Sequence, residues 1–273
     1  MGALNGKSVT IHAMGTGRPL LLLHCLGVDH RFWDFAAPLA DHFTLLRYDL
    51  PGHGETPVPN EPYRIADLSE QLADILRSRG IARARIAGIS LGGLIAQHFA
   101  ANHPTSVEKL VLIDTTPRYT DELRAMWAER AATARTAGVG AMVPGLLKIW
   151  FSDACLAVNP PGVRYVRDTL EKTSGEGYAL ACEALGAADL RTEALKIKLP
   201  TLVMCGENDI PSFLDSGRWL AANSRREARV VTARTACLGD RMSRTGGHLP
   251  ARIPHVAEMY RRLAIRGAEI PHG

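Results

Sequence analysis

No apolar run in this chain is long enough to cross a bilayer. The longest early one, Pro19 to Leu26, already contains His24, whereas a transmembrane helix takes about 20 apolar residues. The N-terminal stretch MGALNGKSVTIHAMG lacks the apolar core of a signal peptide. Gly6 stands where a myristoylation signal requires Ser or Thr. Cysteine is sparse and unpatterned: Cys25, Cys155, Cys182, Cys205 and Cys237 are odd in number and show no metal-ligand spacing. That excludes a disulfide framework and predicts reduced thiols in a cytoplasmic protein, with Cys25 a small packed apolar group. Lysine is missing from residue 225 onward, where ten Arg against four acids give +6, leaving −2 for the rest of the +4 total. Aromatics are also scarce there, with Tyr260 alone. A nucleic-acid surface, which needs basic residues on one face interleaved with aromatics, is therefore not expected. Internal repeats and low-complexity tracts are absent.

What is present suits a large buried core. With 273 residues, 46% of them hydrophobic, one sizeable domain carrying an insertion is the natural reading. Alternating Lys7, Val9 and Ile11, followed by Gly15-Thr16-Gly17, predict a short hairpin leading into an apolar strand over 20–24. A second strand is expected over Phe43–Asp49 and others over 84–87, 107–113, 201–205 and 228–232. Helical stripes fall between them, at Ile65–Arg79 and Leu91–Ala101. Strands alternating with helices at this rhythm argue for an α/β architecture with a mostly parallel sheet flanked by helices. From Tyr119 to Leu195 the pattern loses its strands and reads as four or so short helices. The expected organisation is a core from residues 1–118 and 196–273, with a helical cap over 119–195.

The strand at 84–87 runs into Gly88-Ile89-Ser90-Leu91-Gly92, with a helix from Leu91. A serine hydroxyl is a poor nucleophile unless a base removes its proton and the oxygen is held forward of its own backbone. A sharp strand-to-helix bend supplies the second condition, and only small residues two positions either side fit the crowding it creates. The helix after Ser90 also points its N-terminal amides at the place where negative charge develops. One oxyanion donor is then the N–H of Leu91, and the N–H of Leu26, in the loop after the strand 20–24, is the candidate for the second. His24 reads as a structural anchor.

In a Ser, acid, His order the acid candidates are Asp209, with Glu207 beside it, and Asp114 from another strand. Asp209 is favoured because it closes a buried strand at its carboxyl end. Only His248, His255 and His272 follow Asp209. His248, after two glycines, is favoured as the base, whereas His255 opens a final helix and His272 lies at the terminus.

These features, together with LGVDHRFWD (26–34), RYDLPGHGETPVP (47–59), GISLGG (88–93) and HPTSVEKLVLIDTTP (103–117), resemble the α/β-hydrolase superfamily, and within it the 3-oxoadipate enol-lactonases. Trp150-Phe151, Gly177-Tyr178, Cys182 and Ala188-Asp189-Leu190-Arg191 resemble that subfamily's cap. The resemblance runs from about Leu20 to Val231. It implies the α/β-hydrolase fold, a triad of Ser90, Asp209 and His248, oxyanion donors Leu26 and Leu91, and a small anionic enol-lactone substrate. It implies neither metal nor organic cofactor. The chain departs from the family at its end, where the Arg-rich stretch Thr232 to Gly247 separates the last strand from His248. Trp150 and Phe151 are expected to line the cap side of the pocket, and Trp127 to pack in the cap's own core. Arg31, Arg118 or Lys148 is expected to meet a substrate carboxylate, and Arg31 is carried forward. The partner is a small-molecule lactone or ester, with neither nucleic acid nor membrane. A carboxylesterase, a carbon–carbon bond hydrolase of ring-cleavage products, and a catalytically silent binding protein are the alternatives.

Overall fold

The computed structural model describes residue 4 and residues 9–206, 209–223 and 230–233. Seven strands among these form one sheet: β1 (His12–Met14), β2 (Arg18–Leu23), β3 (Phe43–Arg47), β4 (Ala84–Ile89), β5 (Val107–Ile113), β6 (Thr201–Gly206) and β7 (Val230–Ala233). Their order is β1-β3-β2-β4-β5-β6-β7, and every neighbouring pair is parallel except β1 with β3. All six residues of β4 are buried, as expected of a central strand covered on both faces.

Among the described residues the N-terminal hairpin expected from the sequence is not seen. β1 pairs with β3, not with β2, because the Gly15–Gly17 link passes tightly over the end of the His30–Asp41 segment. A Cβ on Gly15 would sit 2.3 Å from the Ala40 carbonyl oxygen, and one on Gly17 2.6 Å from that of His42. The glycines read as a hairpin turn are instead a close crossing.

Two helices flank the first half of the sheet, α1 (Ile65–Ser78) and α2 (Leu91–Asn102). Both bury an apolar face that includes Leu68, Leu72, Leu94 and Phe99. Between β5 and β6 lie six helices rather than four: α3 (Asp121–Ala137), α4 (Val143–Trp150), α5 (Asp153–Val158), α6 (Pro161–Lys172), α7 (Gly175–Ala187) and α8 (Arg191–Lys196). The two ends of this segment are tied together, since Leu190 N–H donates to Pro117 O at 2.7 Å and Arg118 bridges to Asp189. A further helix, α9 (Pro211–Asn223), packs on β6.

The helical segment rests on the core through backbone-to-backbone contact. A Cβ on Gly52 would lie 2.6 Å from Gly177 Cα, and one on Gly177 would lie 2.6 Å from the Gly52 oxygen. Side chains complete the seam: the Tyr165 hydroxyl of α6 donates to Asp29 Oδ1 at 2.9 Å. No helix among the described residues is long and apolar enough to cross a membrane. Cys25, Cys182 and Cys205 are free thiols.

Candidate active site

The carboxyl ends of β2, β4, β5 and β6 stand side by side, so the loops leaving them bring Leu26, Ser90, Asp114 and Asp209 into one row. Ser90 joins β4, the middle strand, directly to α2, with φ 51° and ψ −112°. A non-glycine residue at positive φ is strained and is held only when its surroundings over-determine it. Here Ser90 N–H donates to Ile113 O at 2.9 Å, Leu94 N–H donates to Ser90 O at 3.0 Å, and the Thr115 hydroxyl donates to the same oxygen at 2.9 Å. The flanking glycines are sterically required. A Cβ on Gly88 would meet Gly92 O at 2.2 Å, and one on Gly92 would meet Leu23 O at 2.3 Å.

That close approach of α2 to the end of β2 brings the Leu26 loop beside the serine. Leu91 is the first residue of α2, so its N–H has no intrahelical acceptor. Leu26 is buried, and its N–H has no backbone acceptor among the described residues. Gly27 turns the loop back at φ +78°, and the Tyr178 ring of α7 covers it, 3.1 Å from where a Cβ would be. His24 is an anchor, as expected from the sequence: its Nδ1 donates to Cys25 O at 2.8 Å and its Nε2 accepts from Leu50 N–H at 3.0 Å. Burial lowers its pKa and fixes this neutral tautomer. Burial likewise brings His53 down to about 4 and pushes the Cys25 thiol up to about 12.

Asp114 and Asp209 end adjacent strands and meet. Their carboxylates and the Cys205 thiol place one atom each within 4.8 Å of one another. Asp114, at φ 40°, accepts from Gly206 N–H at 2.8 Å, and Asp209 accepts from Ile210 N–H at 2.8 Å. Burial, and then the neighbouring Asp209 charge, raise Asp114 to about 6. Asp209 is also raised, by burial, while hydrogen bonds from the Ile210 amide and Asp114 pull the other way. As pH falls, protonation of the pair therefore begins on Asp114, and the Asp209 carboxylate accepts from it. The two acids weighed against each other in the sequence thus form one unit.

Other polar clusters are structural. The His12 and His30 rings stack with centroids 3.6 Å apart and planes 8° from parallel, so their lone pairs do not converge on a common point. Asp49 beside them accepts from His30 N–H, His30 Nδ1 and Glu55 N–H.

The pocket expectations fare unevenly. Arg31 is tied to Asp29 through Nε and Nη2, the latter at 2.6 Å. Burial pushes the Asp29 carboxyl up, but hydrogen bonds from Arg31 and Tyr165 outweigh it and hold the acid below its usual range. Arg118 is likewise paired with Asp121 at 2.7 Å and with Asp189 at 3.6 Å, and Lys148 is exposed on α4. Trp150 and Phe151 are half-buried and pack on the edge of the core. Trp127 is buried, edge-on to Tyr119 with ring centroids 5.3 Å apart. The sequence reading missed Tyr119. Its ring is fully buried and its hydroxyl forms no regular hydrogen bond. Burial raises this phenol's pKa, and the adjacent Ser90 hydroxyl lowers it in part. His248, His255, His272 and Glu207 lie outside the described residues. Among the described residues no histidine hydrogen-bonds to Ser90 or Asp209.

Comparisons with known proteins bear on the family and the fold. The profile of the alpha/beta hydrolase fold family matches residues 18–233. The chain is 31% identical over 205 residues to 3-oxoadipate enol-lactonase 2 of Acinetobacter baylyi, covering 74% of this chain and 76% of that one. It is 34% identical over 221 residues to a pimeloyl-[acyl-carrier protein] methyl ester esterase of Chromobacterium violaceum, covering 77% and 84%. Among solved structures, the enol-lactonase of Burkholderia xenovorans superposes with a TM-score of 0.78 at 35% identity, covering 82% of this chain and 87% of that one.

Proposed function

This chain belongs to the alpha/beta hydrolase fold family, and on that premise we propose that it is a serine hydrolase that opens a small anionic enol-lactone. Ser90 is the nucleophile, Asp209 the orienting acid and His248 the base. The observation that supports this most is the Ser90 backbone, held at φ 51° at the mouth of the central strand by three hydrogen bonds and two sterically obligatory glycines. Such strain serves to present the hydroxyl.

The imidazole of His248 takes the Ser90 proton as the oxygen attacks the lactone carbonyl. The tetrahedral oxygen forms beside the N–H groups of Leu26 and Leu91, which stabilise it. Asp209 fixes the imidazole tautomer and stabilises the imidazolium. Collapse of the intermediate expels the enolate, which takes the proton from His248 and tautomerises to a ketone. Water, deprotonated by the same ring, then cleaves the acyl-enzyme and restores Ser90. Residues 119–195 act as the cap that closes over this chemistry, with Trp150 and Phe151 on its pocket side.

Similarity to a methyl ester esterase at 34% identity supports a second reading, hydrolysis of an acyclic carboxylic ester by the same residues. Steady-state kinetics on a panel of an enol-lactone, a vinylogous diketone and short acyl methyl esters separates the two. The first reading requires the highest kcat/KM on the lactone and loss of turnover in Ser90→Ala. Preference for the methyl esters supports the second, and undiminished turnover in Ser90→Ala eliminates both.

A further inference from the structure

Two buried polar side chains behind the Ser90 turn have no part in the chemistry above. They are Gln97, on α2, and Thr115, in the segment that leaves β5. Gln97 Nε2 donates to Gly93 O at 3.2 Å, to Thr116 O at 3.3 Å and to Thr115 Oγ1 at 3.4 Å. Three oxygens around one nitrogen fix which end of the amide faces them. The other end, Oε1, has no hydrogen-bond partner among the described residues. An apolar side chain of similar size would avoid that cost, so packing alone does not account for a glutamine here.

The Thr115 hydroxyl carries the chain of bonds on to Ser90 O, to which it donates at 2.9 Å. That oxygen belongs to the same peptide unit as Leu91 N–H. In a trans peptide the carbonyl and the N–H lie in one plane and point in opposite directions, and no cis peptide occurs among the described residues. Holding the carbonyl back therefore aims the N–H forward, to where the tetrahedral oxygen forms. Leu94 N–H holds the same carbonyl from within α2 at 3.0 Å, and Thr115 holds it from outside the helix. A hydrogen bond to an amide oxygen also polarises the amide, which makes its N–H a stronger donor. The approach of Thr115 depends on Gly93, where a Cβ would sit 2.6 Å from Thr115 Cβ. That gives a reason for the last glycine of GISLGG, which the bend at Ser90 does not itself require.

We propose that Thr115 is a positioning residue for the oxyanion site and that Gln97 supports it. The chain from Gln97 Nε2–H through Thr115 Oγ1–H to Ser90 O fixes and polarises the Ser90–Leu91 peptide, so that Leu91 N–H meets the developing negative charge. Neither side chain touches the substrate. The purpose of this chain rests on the serine-hydrolase reading of Ser90, and it adds what sets the direction and strength of one donor.

The test is steady-state hydrolysis of p-nitrophenyl acetate by the full chain, with rates normalised to the Ser90 sites that a fluorophosphonate labels at completion. Thr115→Val should lower kcat roughly 10-fold and leave KM within about twofold. That is less than the ~10²–10³ lost with a whole oxyanion donor, because Leu94 N–H still holds the carbonyl. Thr115→Ser should return kcat to near the wild-type value, and Gln97→Met should lower it about threefold. Phenyl trifluoromethyl ketone forms an adduct with Ser90 that carries the same oxyanion, so its inhibition should weaken in Thr115→Val by the factor seen in kcat/KM. The pH dependence of kcat/KM should keep its midpoint, since no titrating group is changed. Wild-type kcat in Thr115→Val, or an equal loss in Thr115→Ser, overturns the positioning role. A loss that comes with a shifted pH midpoint also overturns it, since that marks an effect through the neighbouring Asp114. If Thr115→Val does not fold, Thr115→Ser and Thr115→Ala decide. These two share the missing methyl and differ only in the hydroxyl, and equal kcat in both overturns the role. Labelled wild-type Ser90 with kcat unmoved in Thr115→Val sinks the positioning role alone. No label on Ser90 sinks the hydrolase reading, and the positioning role with it.

Discussion

Asp114→Asn isolates the charge that the paired acids carry. Raising a carboxyl from 3.8 to about 6 corresponds to roughly 3 kcal/mol at 1.36 kcal/mol per pH unit. Asp114 is not sealed from water, so solvent screening reduces the share expressed as stability to about 2 kcal/mol. The sign follows from proton counting. Between the unfolded value of 3.8 and the folded value of about 6 the native state holds more protons than the unfolded state. Stability due to this group is thus full below the lower value, is lost as pH rises, and is gone above the upper one. An asparagine keeps the acceptor for the Gly206 amide and the donor to Asp209, and tolerates the φ of 40° at this position. Urea denaturation should therefore find Asp114→Asn about 2 kcal/mol more stable than wild type at pH 7.5, and within about 0.5 kcal/mol of it at pH 4. A variant less stable at pH 7.5, or shifted equally at both pH values, would refute the assignment of the proton to Asp114.

Asp209→Asn should lower kcat by ~10⁴ while Asp114→Asn lowers it far less, since only the former removes the charge facing the imidazole; equal losses in steady-state kinetics would transfer the acid's role. Gly92→Ala forces a methyl into the Leu23 carbonyl and should cost about 1–3 kcal/mol in denaturant melts, with loss of activity. Tyr165→Phe removes the hydrogen bond that joins α6 to Asp29, and should destabilise the protein by about 1–3 kcal/mol. That loss should vanish in an Asp29→Asn background if the bond acts through the charge.

The sheet and its two flanking helices were legible because burial on both faces leaves nearly unbroken apolar runs, as at Leu20–Leu23 and Val107–Ile113. The bend at Ser90 was legible because one of its glycines has a steric cause within five residues of sequence, a Cβ on Gly88 meeting the Gly92 carbonyl. At the N-terminal glycines the sequence misled because the partner was distant. Gly15 and Gly17 suit a hairpin turn equally well, and only the Ala40 and His42 carbonyls that crowd them decide for a crossing. Arg31 carries the same charge in the sequence whether or not Asp29 neutralises it, two residues away and inside the same turn. Joining Asp114 to Asp209 required knowing that β5 and β6 are neighbours, which chain order does not state.

The central claim is that Ser90 is an activated nucleophile, and the most direct measurement is fluorophosphonate labelling of the full chain followed by peptide mass spectrometry. One phosphonylated serine, in the peptide that contains RIAGISLGGL, is the expected result, absent in Ser90→Ala and sharply slowed in His248→Ala. No adduct on Ser90 at neutral pH, or an adduct that forms as fast without His248, would contradict it.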